Sequence, residues 1–107
     1  MADKDIDITK EEGGDTITFK ATLPDHSDEA ELVLSNISDN LYNAHHTGVP
    51  KSMGGKGVGT ALVKAMSEDA RDLGYKVVPG CPFVEAWFKR KPNWAKMAAA
   101  EPELFTK

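Results

Sequence analysis

The chain has 107 residues, of which 40% are hydrophobic and 28% are charged, a length and composition typical of one globular domain with its own core. The net charge of -4, without a basic stripe interleaved with aromatic residues, argues against nucleic-acid binding, and no apolar run approaches the roughly 18 residues of a membrane span. The single cysteine, Cys81, excludes an intramolecular disulfide, and the acidic first residues lack the apolar segment expected of a secretory signal. We therefore expect a single cytoplasmic domain over residues 1–107, monomeric or weakly dimeric.

The first half of the chain alternates polar and apolar residues, which predicts β-strands. Turn-forming residues separate these stretches: Glu12–Asp15 follow the first, a polar loop follows the second, and Ser38–Asn40 follow the third. The pattern predicts an antiparallel meander of four strands: Asp5–Thr9, Thr16–Thr22, Ala30–Ile37 and Leu41–Val49.

The second half changes to helical periodicity. Apolar residues at helical spacing predict a helix from Val58 that ends at Gly74, and a short strand, Tyr75–Val78, follows. Pro82 is placed as the first residue of a second helix, which Pro92 stops. A strand–helix–strand unit in one sheet makes the last strand parallel to the fourth. The order predicts an α+β fold, with a mixed, mostly antiparallel sheet of about five strands and two main helices.

Four glycines stand in the six residues 54–59, at the start of the first helix. The first N–H groups of a helix lack internal partners and carry partial positive charge, and a glycine-rich lead-in lets an anion approach them. Residues 51–96 have nine basic and four acidic side chains, against three and ten in residues 1–31, so an anion would prefer this half. The P-loop and dinucleotide patterns both fail, because Lys56 is not followed by Ser or Thr and the sixth fingerprint position is Thr60. Spacing alone leaves a phosphate-binding loop and a structural turn open.

Three blocks in order carry a resemblance to a known family: His46–Pro50, Gly54–Val63 and Lys76–Val84. The second block resembles motif A of the GNAT acetyltransferase superfamily, an Arg/Gln-x-x-Gly-x-Gly/Ala loop that binds the pyrophosphate of coenzyme A. Over Leu41–Trp94 the blocks resemble a subfamily of small, single-domain, acetyl-CoA-binding GNAT-like proteins. Its pattern runs His-Thr-Glu-Val-Pro, Gly-Lys-Gly-Ile-Gly and Lys-Val-x-Pro-x-Cys-Pro-Phe-Val. The resemblance implies a shortened GNAT fold with acetyl-CoA as its ligand.

The resemblance also implies how acetyl-CoA is held. The glycine loop would bind the pyrophosphate, and the pantetheine arm would run between the splayed fourth and fifth strands. The acetyl thioester would point toward His46 and Cys81, which are the implied catalytic residues. The implied cofactor-binding residues are Val49, Gly54, Gly55, Lys56, Gly57, Val58, Gly59 and Thr60.

This chain departs from the family pattern at three points. Gly54 stands where many GNAT proteins have Arg or Gln, and Gly48 replaces the Glu of His-Thr-Glu-Val-Pro. Many GNAT enzymes use a Tyr near the end of the domain as a general acid, whereas Tyr42 and Tyr75 lie elsewhere in this sequence. The resemblance therefore supports binding of acetyl-CoA better than transfer of its acetyl group.

Cys81 and His46 have the chemistry that acetyl transfer needs. Cys81 precedes a helix start, which favours the nucleophilic thiolate, although a buried inert thiol is the alternative. His45 and His46 follow each other on a strand and are expected to face opposite sides of the sheet, so that only one faces the cleft. The resemblance favours His46 as a general base active near neutral pH, and a structural histidine is the alternative.

Two groups near the end of the chain bear on the ligand. The basic run Lys89–Lys91 either meets the 3′-phosphate of coenzyme A or forms a solvated helix face. Trp87, Phe88 and Trp94 are expected in the core. The histidines and the cysteine lack the spacing of a metal site.

The sequence thus favours an acetyl-CoA-binding N-acetyltransferase acting on an unknown amine or protein acceptor, with or without a covalent step on Cys81. The second interpretation is a non-catalytic acetyl-CoA binder or sensor that acts through a protein partner. The third is an interaction domain whose glycine run is only a turn.

Overall fold

The computed structural model describes residues 6–24, 27–54 and 57–97. Within them the chain forms a five-stranded sheet and three α-helices, which is the expected α+β fold. The strands are β1 (Asp7–Gly13), β2 (Thr16–Thr22), β3 (Ala30–Ser38), β4 (Leu41–Gly48) and β5 (Lys76–Val78). The helices are α1 (Val58–Leu73), α2 (Pro82–Arg90) and α3 (Pro92–Met97), with a 3-10 turn over Lys51–Met53 before α1. No helix of the described ranges is long and apolar enough to cross a membrane.

Strands β1 to β4 form the antiparallel meander that the alternation predicts, in the order of the sequence. The first hairpin is tighter than expected, because Gly13 still pairs with Thr16 and only two residues remain for the loop. Such a loop needs a positive φ at its first residue, and Gly14 has a φ of 61°. The predicted first strand also included Asp5, which lies outside the described residues.

Strand β5 pairs with β4 in parallel, as the strand–helix–strand unit predicts. The pairing ends at Asn43 and Val78, while β4 continues to Gly48. In the described chain, no strand pairs with this edge of β4 over residues 44–48. We call this segment the free edge of β4.

The core lies between the helices and one face of the sheet. Its inward-facing side chains on the two central strands are Ile17, Phe19, Ala21, Ala30, Leu32 and Leu34. Leu62 and Met66 of α1 and Val84 and Phe88 of α2 belong to the same buried cluster. The side chains that alternate with these along each strand face away from the helices, and we call this side of the sheet the open face. Its half-buried members on the central strands are Thr16, Thr18, Lys20, Thr22, Glu31, Val33 and Ser35.

The helix ends lie where the sequence marks them. Gly74 caps α1 with a left-handed φ of 81° and donates its N–H to the Ala70 carbonyl at 2.8 Å. Pro82 is the first residue of α2, and Pro92 follows its last turn. The predicted bounds of α1 and the predicted start of α2 are therefore confirmed.

A partly buried polar network ties β1, α1 and the start of β5 together. The Lys10 ammonium lies 3.0 Å from carboxylate oxygens of both Glu12 and Asp69, and the Tyr75 hydroxyl donates to Asp69 at 2.8 Å. Burial, with the hydrogen bond to Asp69, raises the pKa of Tyr75. Burial lowers the pKa of Lys10, but its hydrogen bonds to Glu12 and Asp69 outweigh burial, so the net shift is upward.

Candidate functional site

The loop between β4 and α1 contains the glycine run. After the 3-10 turn Gly54 is extended, and Gly57 caps α1 with a left-handed φ of 78°. Gly55 and Lys56 lie outside the described residues. Glycine adopts this φ without strain, and a cap without a side chain leaves the first N–H groups of α1 uncovered. The start of α1 therefore has the backbone geometry of an anion site.

A cavity of about 260 Å³ lies against this helix start. Its walls are Val49, Gly54, Gly57, Val58, Gly59, Thr60, Phe83 and Trp87. Six of the eight predicted cofactor-binding residues thus line one cavity, and the other two are Gly55 and Lys56. Phe83 and Trp87 were not in the predicted set, although Phe83 stands in the third block of the resemblance.

Gly59 serves the packing of two helices. A Cβ on Gly59 would lie 2.5 Å from Cζ of Phe83, far inside the contact distance of two carbon atoms. The Phe83 ring meets Trp87 edge to face, with centroids 6.4 Å apart. The glycine thus lets α2 approach the first turn of α1 and close one wall of the cavity.

Cys81 lies at the N-cap of α2. It is only 8% exposed, and its Sγ lies 3.5 Å from Oγ1 of Thr47 on the free edge of β4. Thr47 pairs with Leu32, whose side chain is in the core, so Thr47 and the thiol lie on the helix side of the sheet. Thr47 was missed as a site residue, and its place in the His46–Pro50 block was the available signal.

His45 and His46 both lie on the open face, so the expectation that they face opposite sides is wrong. The register between β3 and β4 shifts between Val33 and Leu34, which is a β-bulge that adds one residue to β4. The extra residue interrupts the alternation along β4, so that the side chains of two successive residues point to the same face of the sheet. His45 Nε2 lies 2.8 Å from the hydroxyl of Ser35 on that face.

His46 contacts a carboxylate from the neighbouring strand. Its Nε2 lies 3.1 Å from Oε2 of Glu31, and the two side chains are 50% and 44% exposed. Glu31 pairs directly with Gly48, where the family pattern has Glu. A carboxylate therefore lies beside His46 although position 48 lacks one. Sequence reasoning missed Glu31, because only the strand register brings it to this place.

Cys81 and His46 thus lie on opposite sides of β4. Cys81 contacts Thr47 on the helix side, whereas His46 contacts Glu31 on the open face. The structure does not bring the two predicted catalytic residues into contact with each other. They instead flank the same free edge of β4 from its two faces.

A larger cavity of about 570 Å³ lies between β1, α1 and the end of α2. Thr60 and Trp87 line both cavities, so the two adjoin at the start of α1. Lys64 and Glu68 of α1 and Lys91 bring charge to the larger one.

Two stacked tryptophans form a wall of the larger cavity. The rings of Trp87 and Trp94 are 5.8 Å apart at an angle of 29°, and both side chains also pack against the core. Arg90 lies over Trp87 at 5.4 Å, and Lys91 over Trp94 at 5.8 Å. The expected core position is therefore confirmed for Phe88, while the two tryptophans are half-buried and also line the cavity.

Neither tyrosine lies at the candidate site. Tyr42 and Tyr75 pack against each other with ring centroids 5.1 Å apart, and the Tyr75 hydroxyl is held by Asp69. Among the described residues, no three His, Cys, Asp or Glu side chains lie close enough together to hold a metal ion.

Residues 18–97 match the family described as GCN5-related N-acetyl-transferase. The chain belongs to this family. The matched region runs from β2 through α3 and contains the glycine loop, Thr47 and Cys81. The fold is also similar to the solution structure of a GCN5-like protein from Staphylococcus aureus, provisionally described as an N-acetyltransferase. The TM-score is 0.62, with 25% identity and 87% of each chain covered.

A search of the curated proteins finds no match. The family and the similar structure confirm the GNAT fold that the resemblance implies. GNAT proteins generally use acetyl-CoA as the acetyl donor.

Proposed function

We propose that this protein is an N-acetyltransferase that moves the acetyl group of acetyl-CoA to an amine. The observation that carries the proposal is the cavity at the start of α1, close to the free edge of β4. The N–H groups at a helix start can bind a pyrophosphate, and the backbone of a free strand edge can hydrogen-bond a chain that carries amide groups. Coenzyme A has a pyrophosphate and, joined to it, a pantetheine arm with such amide groups.

The pyrophosphate occupies the smaller cavity in this proposal. The helical hydrogen-bond ladder begins with the Ala61 N–H, which bonds to the Gly57 carbonyl at 3.0 Å. The N–H groups of residues 58–60 precede it and have no partner within the helix. The helix dipole adds partial positive charge there, and Lys56 adds a full charge to the loop.

The pantetheine arm lies along the free edge of β4. Its amide groups can exchange hydrogen bonds with the backbone of residues 44–48, as a further strand would. An arm in this position brings the thioester between Thr47 and Cys81 on one face and His46 on the other. This arrangement supplies a thiol and an imidazole at the reacting bond.

The nucleotide end of coenzyme A extends into the larger cavity. The rings of Trp87 and Trp94 line this cavity and offer an apolar wall for the adenine. Lys64 and Lys91 offer positive charge for the 3′-phosphate, and Glu68 opposes them from the same cavity. Lys91 is thus the member of the Lys89–Lys91 run that supports the predicted phosphate contact.

Two routes lead to the acetylated amine. In direct transfer the amine nitrogen forms a bond to the acetyl carbonyl carbon and the C–S bond breaks. Its electron pair stays on the coenzyme A sulfur, and the amine proton passes to His46 and then to that sulfur. In the covalent route the thiolate of Cys81 first takes the acetyl group, releasing coenzyme A, and the amine then attacks this new thioester.

An assay that measures the release of coenzyme A by chromatography tests the function. The assay combines the protein and acetyl-CoA with a panel containing a lysine peptide, a free peptide N-terminus and small diamines. We expect release with at least one amine at a rate well above the background of acetyl-CoA alone. No release with any amine, from a protein that binds acetyl-CoA, would contradict the transferase.

Variants of Cys81 separate the two routes. A covalent route requires that Cys81→Ala binds acetyl-CoA but loses turnover and the acetyl adduct seen by mass spectrometry without amine. Direct transfer requires that Cys81→Ala retains turnover. Thr47→Val is the matched control, since it removes the Sγ contact and keeps the thiol.

The second candidate is a non-catalytic acetyl-CoA binder that acts through a protein partner. Two observations favour it: Cys81 is nearly buried, and neither tyrosine is placed as a general acid. Tight binding of acetyl-CoA with no transfer to any amine of the panel would support the binder over the enzyme.

A further inference from the structure

The contact between Glu31 and His46 is built by the strand register. Glu31 lies on the open face of β3, one residue before the buried Leu32, and Oε2 lies 3.1 Å from Nε2 of His46. The two residues are 15 positions apart in the chain, so the contact depends on the pairing of β3 with β4.

Gly48 leaves room for this contact. A Cβ on Gly48 would lie 3.3 Å from Nε2 of His46 and 3.9 Å from Cγ of Glu31. A longer side chain would therefore compete for the space that the pair occupies. Gly48 and Glu31 thus work together: the missing side chain at position 48 leaves the space in which the carboxylate of Glu31 contacts His46.

The bulge gives the two histidines separate partners. His45 lies 2.8 Å from the Ser35 hydroxyl, whereas His46 has the carboxylate of Glu31. A carboxylate accepts and does not donate hydrogen bonds, so Nε2 of His46 carries the proton in this contact. In the neutral ring Nδ1 is then the unprotonated nitrogen.

We propose that Glu31 is a positioning residue for His46 in acetyl transfer. This inference rests on the proposed function, in which His46 takes a proton from the amine. Glu31 holds the ring on the open face beside the free edge of β4, with Nδ1 as the base. Nδ1 accepts the proton that the amine loses as its nitrogen bonds to the acetyl carbon. The C–S electron pair stays on the coenzyme A sulfur, to which the proton then passes.

The test compares two variants of Glu31 with a matched control. Glu31→Val removes the acceptor and suits a half-buried strand position, whereas Glu31→Gln keeps an amide oxygen that accepts from Nε2. Ser35→Val is the control, because it removes the contact of His45 from the same face of the same strand. Each variant is assayed with acetyl-CoA and the best amine of the panel.

We expect Glu31→Val to lower kcat about tenfold and to leave the KM for acetyl-CoA unchanged. Such a loss is part of the rate enhancement that a positioned general base supplies. Glu31→Gln restores most of kcat, and Ser35→Val leaves it at the wild-type value. NMR relaxation of the ¹³C-labelled ring in the free protein should show that His46 becomes more mobile in Glu31→Val alone.

Wild-type kcat and an unchanged His46 ring in Glu31→Val would overturn this inference and leave the proposed function standing. Equal losses in Glu31→Val and Ser35→Val would overturn it as well, because a general structural effect would then explain both. No transfer by the wild-type protein would overturn the proposed function and this inference with it.

Discussion

The ring of Phe83 lies so close to Gly59 that a methyl group on Gly59 would come within 2.5 Å of Cζ. Gly59→Ala must therefore push the ring away from the first turn of α1. We expect the free energy of unfolding to fall by about 1–3 kcal/mol, as for other overpacked cores, despite the better helix propensity of alanine. Urea unfolding measures the loss.

The control for this prediction shortens the opposing side chain. Phe83→Leu lacks the ring atoms that meet the added methyl group. In a Phe83→Leu background Gly59→Ala should cost little, so the double-mutant cycle should show coupling. Additive effects of the two substitutions would contradict the close contact.

Two glycines with the same backbone conformation separate stability from ligand binding. Gly57 and Gly74 have φ values of 78° and 81°, and an added Cβ would meet no atom within 4 Å at either. Alanine at each position should lower the free energy of unfolding by about 1–2 kcal/mol, because the left-handed conformation is strained for a residue with a Cβ. Only Gly57→Ala should weaken acetyl-CoA binding in calorimetry, because Gly57 alone of the two lines the cavity. Equal binding by both variants would contradict the assignment of that cavity.

The polar network predicts how stability depends on pH. Folding raises the pKa of Tyr75 above its ordinary value of 10.0 and that of Lys10 above 10.5, so the folded protein holds both protons more tightly than the unfolded chain. The contribution of these two groups to the stability of the fold is fully present below about pH 10, and it is lost as the pH rises through their pKa values in the folded protein. Urea unfolding between about pH 9 and 11 should show stability falling with pH.

A matched pair of tyrosine variants tests that explanation. Tyr75→Phe removes the hydroxyl that donates to Asp69 and should cost about 1.5 kcal/mol at neutral pH, as for a hydrogen bond to a charged group. It should also make the alkaline fall shallower. Tyr42→Phe keeps the ring contact with Tyr75 and removes only a smaller contribution to its raised pKa, so it should change the pH profile much less. The same slope in both variants would rule out Tyr75 as its source.

The features that could be predicted from sequence are the periodic ones. Alternation located the four strands, and helical spacing with Gly74 and Pro82 located the helix ends. Strand β5 could be predicted as parallel, because a helix that crosses the sheet returns the chain to the end at which the previous strand began. The blocks of the resemblance also indicated the residues that line the smaller cavity.

The features that sequence reasoning missed depend on strand pairing. A bulge in β4 arises from its register with β3, and local alternation therefore predicted the wrong face for one of the two histidines. The partners Glu31 of His46 and Thr47 of Cys81 are 15 and 34 residues away along the chain. Nothing local marks such contacts, because the folded sheet creates them.

Thermal unfolding with acetyl-CoA, with ATP and NAD as ligand controls, tests whether the glycine-loop cavity binds acetyl-CoA. The key variant is Val49→Glu, which places a carboxylate at an exposed wall of that cavity. Leu73→Glu is the matched control, because Leu73 is an exposed apolar residue at the other end of α1.

A ligand at about 100 times its Kd stabilises a protein by roughly 2.7 kcal/mol, which for a domain of this size raises Tm by about 10 °C or more. We expect this rise with acetyl-CoA for the wild type and Leu73→Glu, and a much smaller one for Val49→Glu. No rise in the wild-type protein, or an equal rise in Val49→Glu, would contradict binding of acetyl-CoA in this cavity.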